Sequence, residues 1–126
     1  MKPTFLILPI LVAACQAQPD LPRTDPAHGL ALFQQDCAVC HGPDATGGDG
    51  PDLTRISARN GGPFPTIRVL AQIDGLGRHG DPEAVMPEFG AQDLGPTVVV
   101  EFEAEVGTPV PADLLALARY LETIQQ

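Results

Sequence analysis

The chain has no tryptophan, one tyrosine and five phenylalanines in 126 residues. So thin an aromatic supply gives a small domain little bulk for a core, and small domains often rely on a staple of another kind. Basic side chains are scarce too: seven Lys and Arg stand against 16 Asp and Glu, for a formal net charge of −9. That balance excludes nucleic acid and anionic membrane surfaces as electrostatic partners, since both select basic patches. There are three cysteines, too few for a zinc site built from two Cys pairs, and His28 and His79 lack the paired spacing of a Cys–His zinc site. No apolar run reaches the roughly 20 residues that a membrane-spanning helix needs. The length admits one small domain, and no internal repeat is present.

What the chain does contain begins at its first residues. Lys2 precedes an apolar run from Phe5 to Ala14, interrupted by Pro9. This pattern suits a secretory signal peptide over 1–14. Val12-Ala13-Ala14-Cys15 resembles a bacterial lipobox, in which the cysteine becomes lipidated and N-terminal. Residues 15–24 are polar with two prolines and read as a lipidated tether, leaving 25–126 as the folded domain. The expected location is the bacterial periplasm, with a lipid anchor to a membrane. Gln16 after Cys15, in place of an Asp that retains lipoproteins at the inner membrane, favours the outer membrane.

Cys37-Ala38-Val39-Cys40-His41 carries the chemistry. Cys-x-x-Cys-His is the attachment signature of a c-type haem. Two thiols at this spacing can form thioethers to the vinyl groups on one edge of a porphyrin, and the adjacent imidazole then lies under the iron. The competing reading, a dithiol redox motif, calls for a strand before the first cysteine and a βαβ setting. Nothing β-like precedes Cys37.

Around the motif the sequence predicts helices. Asp25 caps and Pro26 opens the first, at about 26–36, with Leu30, Phe33 and Cys37 at helical spacings. Residues 42–63 are rich in Gly and Pro and read as an ordered loop without regular structure. A second helix is expected at 66–73, with Ile67, Leu70 and Ala71 on its apolar face and Gly75 as its stop. The third is opened by Pro111 and carries Leu114, Leu117, Ala118 and Leu121 through to Ile124. Between them, residues 97–106 alternate with period two, giving a single strand or a hairpin turning near Phe102–Ala104.

These residues resemble a class I cytochrome c, the small monohaem electron carrier, over about 26–92 and 111–124. The resemblance implies an all-α fold, three main helices around one covalent haem c; the sequence departs from it in an acidic β-like insertion at about 97–109. It implies that Gly29 and Phe33 pack against Tyr120. It also implies that the carbonyl of Pro51, in Gly50-Pro51-Asp52-Leu53, orients His41. Met86 of Val85-Met86-Pro87 resembles the distal iron ligand, with His79 as its rival. The cofactor-binding set is therefore Cys37, Cys40, His41, Met86, Pro51 and Leu53, with His41 and Met86 on the metal and Cys15 as the lipid site. Arg55, Arg59 and Arg68 are candidates to neutralise propionates, and His28 reads as a solvated surface residue.

The implied function is transfer of single electrons between exported or membrane redox partners, with no catalysis and no nucleic acid. A basic docking surface on the partner would match the acidic chain, and Glu101, Glu103 and Glu105 would share one face if the period of two holds through them. The alternatives are a haem-based gas or ligand binder and a dithiol oxidoreductase.

Overall fold

The computed structural model describes residues 1, 21–78, 80–102 and 105–126. The expectations for the signal peptide, for Cys15 and for His79 fall outside the described residues, as do those for Glu103 and Ala104.

Asp25 starts the first helix as expected. Its carboxylate accepts the His28 N–H at 3.0 Å, and Pro26 takes the first helical position of α1 (Pro26–Leu32). The helix does not stop before the motif. It widens into a π-helical stretch, Phe33–Cys37, in which the Ala38 N–H reaches back five residues to the Phe33 carbonyl. It then finishes as α2 (Ala38–His41), where Gly42 ends it with φ at 78°. π-Bulges of this kind concentrate at functional sites. The buried residues of this helix are Gly29, Phe33 and His41, while Leu30, read from the sequence as core-facing, is 36% exposed.

The loop after the motif is ordered, as its composition suggested, but it contains one short helix, α3 (Ile56–Arg59). Next comes α4 (Thr66–Asp74), closed by Gly75 in the left-handed region at φ 99°. The N–H groups of Gly75 and Leu76 both reach the Ala71 carbonyl, a helix end that glycine adopts at least cost. The inward face of α4 is Val69, Leu70 and Ile73, whereas Ile67 is 49% exposed. The Met86 segment leads into a short 3₁₀ turn, Phe89–Ala91, that the sequence did not signal.

Residues 97–111 form a hairpin. β1 (Thr97–Phe102) pairs antiparallel with β2 (Glu105–Pro111), in register from Thr97–Pro111 to Val100–Thr108, with an irregularity between Val100 and Phe102. Val98, Val100 and Phe102 alternate inward as predicted. Of the single strand and the hairpin that the sequence left open, the hairpin holds, and so Glu101 on β1 and Glu105 on β2 do not share a single-strand face. The last helix, α5 (Ala112–Thr123), follows with Pro111 as its N-cap.

The core is built on α5 against α1 and α4. Gly29 lies where α1 crosses α5, and Phe33 and Tyr120 pack with ring centroids 5.3 Å apart at 50°. A tilted aromatic pair adds about 0.5–1.5 kcal/mol beyond its buried area. His28 is not a solvated surface residue: its Nε2 stands 2.7 Å from Asp113 Oδ1, tying α1 to α5. The all-α expectation is thus amended by a two-stranded sheet and by short helical turns beyond the three main helices. Among the described residues no helix is long and apolar enough to cross a membrane.

Candidate functional site

The bulged first helix delivers Cys37, Cys40 and His41 to one wall of a cavity of about 550 Å³. α4 contributes Arg68, Val69, Gln72 and Ile73, α5 contributes Leu117 and Leu121, the loop after the motif contributes Pro51, Leu53 and Arg59 among others, and Val85–Pro87 with Phe89 form a further wall. A cavity this size, apolar with a few placed polar groups, is what a prosthetic group requires.

His41 is buried, and its Nδ1 lies 2.9 Å from the Pro51 carbonyl oxygen. A carbonyl can only accept, so Nδ1 carries the proton and donates it there. Nε2 is then left with a free lone pair. Metal-bound histidines are oriented by such partners, which also raise their basicity. The loop supporting Pro51 is pressed against the ring: a Cβ on Gly50 would stand 2.8 Å from His41 Cε1 and Nδ1. The same loop is tied to the helix end, with the Gly50 N–H donating to the Cys40 carbonyl at 2.8 Å and the Gly47 N–H to the His41 carbonyl at 2.9 Å. Leu53 lines the cavity, its N–H bonded to the Ala45 carbonyl at 2.8 Å.

Cys37 is half-buried and Cys40 exposed. Burial pushes the Cys37 thiol up to about 11, with Asp36 and then Cys40 adding to the effect. A dithiol oxidoreductase needs the opposite, a thiol lowered toward neutrality so that the thiolate can attack.

Met86 is half-buried and packs against the core. Its sulfur lies 3.7 Å from Gln72 Nε2, which donates toward it. Gln72 carried no signal in the sequence, since it reads as one more polar residue on a helix and its partner lies 14 positions away. Of the three arginines proposed for propionates, Arg59 and Arg68 line the cavity and Arg55 does not. Arg59 also donates to the Asp52 carbonyl at 2.8 Å.

Two thiols, an imidazole with its outer nitrogen free and a thioether, arranged around one apolar cavity, suit a porphyrin held covalently at one edge and ligated by nitrogen and sulfur. The class this defines is the small c-type cytochrome. The family model described as cytochrome c oxidase, cbb3-type, subunit III matches residues 24–101. Cytochrome c55X of Stutzerimonas stutzeri is 36% identical over 88 residues, which is 70% of this chain and 67% of that protein. A cytochrome c-553-like protein of Synechocystis sp. is 49% identical over 37 residues, 29% of this chain and 35% of its own length. The chain belongs to this family of c-type cytochrome domains, and its cofactor is covalent haem c, for which Cys37 and Cys40 supply the attachment motif.

Proposed function

We propose that this protein is a one-electron carrier in which His41 and Met86 would hold the haem iron. The observation that carries the reading is that the imidazole of His41 and the thioether of Met86 line one cavity, with His41 Nδ1 already engaged by Pro51. When bound, the haem supplies a reversible one-electron iron couple, and a thioether ligand favours its reduced state. The chain's own contribution is to fix both ligands so that neither needs to move, and to exclude water with Val69, Ile73, Leu117 and Leu121. Arg59 and Arg68 offer positive charge at the cavity for the two carboxylates of the porphyrin. With both residues on the iron no position would remain for a substrate, which supports transfer rather than catalysis.

Partners are redox proteins that dock at the cavity rim. Supporting this, Val39 is 83% and Val85 96% exposed, and both border the cavity. Apolar side chains standing in solvent beside a redox centre suit a short-lived dry contact. The net charge of −9 favours a partner with a basic surface. Cys15 is the proposed lipid anchor, with residues 1–14 removed on export and the domain held in the periplasm at the outer membrane. Intact mass of membrane-extracted protein tests this, and the mass of an unmodified chain would overturn it.

The ligation is tested by a redox titration followed by visible absorption, with Met86→Ala beside the wild type. The oxidised wild type is expected to show the weak sulfur-to-iron charge-transfer band, and the reduced protein to resist carbon monoxide. The variant is expected to lose the band, fall in potential and bind carbon monoxide. Rapid carbon monoxide binding by the wild type would instead support a gas-binding role.

A further inference from the structure

The segment that follows Met86 is held against the end of α4 from several sides. Arg78 Nη2 donates to the Pro87 carbonyl at 3.3 Å, and the Gly80 N–H donates to Glu88 Oε1 at 2.9 Å. The two stretches also pack closely, with a glycine on each side pressed against the other's side chain. A Cβ on Gly75 would stand 2.7 Å from the Glu88 Cβ, and one on Gly90 would stand 2.4 Å from Asp74 Oδ2.

Met86 itself lies in irregular chain before the 3₁₀ turn. Pro87 has no N–H to give, so this stretch makes little backbone structure of its own. The Gln72 contact to the sulfur, at 3.7 Å, is a weak one. The charge-assisted bond is the one from Arg78, and it falls on the residue next to Met86. Nε of the same guanidinium is buried and has no partner among the described residues. Forgoing that hydration is costly, and the Pro87 carbonyl is what the side chain reaches by doing so.

We propose that Arg78 is a positioning residue for the thioether of Met86, acting through the Pro87 carbonyl to keep residues 86–88 closed on the cavity. The proposal rests on the reading of Met86 as an axial ligand. Removing Arg78 leaves the ligand present but frees the segment that carries it, so Met86 leaves its place more often.

The test uses purified haem-loaded protein and the variants Arg78→Leu, Arg78→Lys and Met86→Ala. Two quantities are read: the temperature at which the charge-transfer band of the oxidised protein disappears, and the rate of carbon monoxide binding to the reduced protein. Arg78→Leu is expected to lose the band at lower temperature and to bind carbon monoxide about tenfold faster, the scale of one charge-assisted hydrogen bond. Arg78→Lys, which keeps a donor, is expected to remain close to wild type. Helix content and covalent haem should be unchanged in both. Arg78→Gln, polar but too short to reach Pro87, replaces the leucine variant if that chain does not mature, with the same expectation. If the Arg78 variants match wild type while Met86→Ala lacks the band, the role of Arg78 is overturned and the ligand reading stands. If wild type itself lacks the band, the ligand reading fails and this proposal falls with it.

Discussion

Gly29 and Ala116 meet backbone to backbone, so closely that a Cβ on Gly29 would lie 2.0 Å from the Ala116 carbonyl oxygen. The same Cβ would stand 2.8 Å from the Cβ of Tyr120. Neither neighbour can rotate away, because one is helix backbone and the other a buried core residue. Overpacking that moves backbone costs about 1–3 kcal/mol or more. Gly29→Ala is therefore expected to lower stability by about 3 kcal/mol. The check is chemical denaturation, where the midpoint should fall with the slope unchanged. An unaltered midpoint would mean that α1 and α5 can part without cost.

The acceptor on His41, the Pro51 carbonyl, and the donor on Met86, the Gln72 amide, should pull the potential in opposite directions. Gly50→Ala would thrust a methyl against the imidazole at about the position of its Nδ1 and so break the bond to Pro51. That bond makes the imidazole a stronger donor, which favours the oxidised iron. Its loss is expected to raise the midpoint potential, measured by spectroelectrochemical titration. A fall would contradict the assigned proton on Nδ1.

Gln72→Leu removes the amide that donates toward the Met86 sulfur. A donor there withdraws electron density from the thioether and favours the reduced iron. Its loss is expected to lower the potential by a few tens of millivolts, given about 1 kcal/mol for a hydrogen bond and about 59 mV per tenfold change in a one-electron couple. No change would show that the 3.7 Å contact is idle.

Acid should weaken the fold through three surface aspartates. Hydrogen bonds from Thr54, side chain before backbone, hold the Asp52 carboxyl below its ordinary value of 3.8. Thr46 does the same for Asp44, and the His28 N–H for Asp25. A lowered folded value means that the stabilisation is complete above 3.8 and is lost as pH falls through the depressed values. Thermal midpoints measured from pH 7 downward should stay level and then drop below about pH 4. Asp52→Asn should show a shallower drop, and identical acid limbs would remove Asp52 from the account.

The parts of this molecule that were legible in the sequence are the local ones. Asp25 with Pro26, and Gly75, mark helix ends through backbone chemistry that involves only near neighbours. Cys37 to His41 is read the same way, since one helical turn holds all the attachment chemistry. The period of two in 97–106 foresaw strand structure, though the turn that divides it was left open. What sequence could not supply was the choice of face. Leu30 and Ile67 sit at helical spacings from core residues, yet both face outward, because the buried faces are set by what α1 and α4 meet across the fold. Long-range polar pairs were equally invisible: His28 with Asp113, Gln72 with Met86 and Arg78 with Pro87 follow no motif and meet only when the chain folds.

The hairpin of β1 and β2 lies within the long stretch of chain that the crossing of Gly29 and Ala116 closes. The entropy lost in closing a flexible loop grows only as the logarithm of its length. Lengthening so large a loop by one hairpin therefore adds only about 0.2 kcal/mol. The hairpin offsets that on its own account through its paired backbone and through Val110, which is 4% exposed. Adding chain between the Met86 segment and α5 therefore costs the helix pairing little in closure entropy, whereas removing the hairpin would strip Val110 from the core. No described residue of the hairpin lines the cavity, so its length and surface can vary independently of the walls around Cys37, Cys40 and His41.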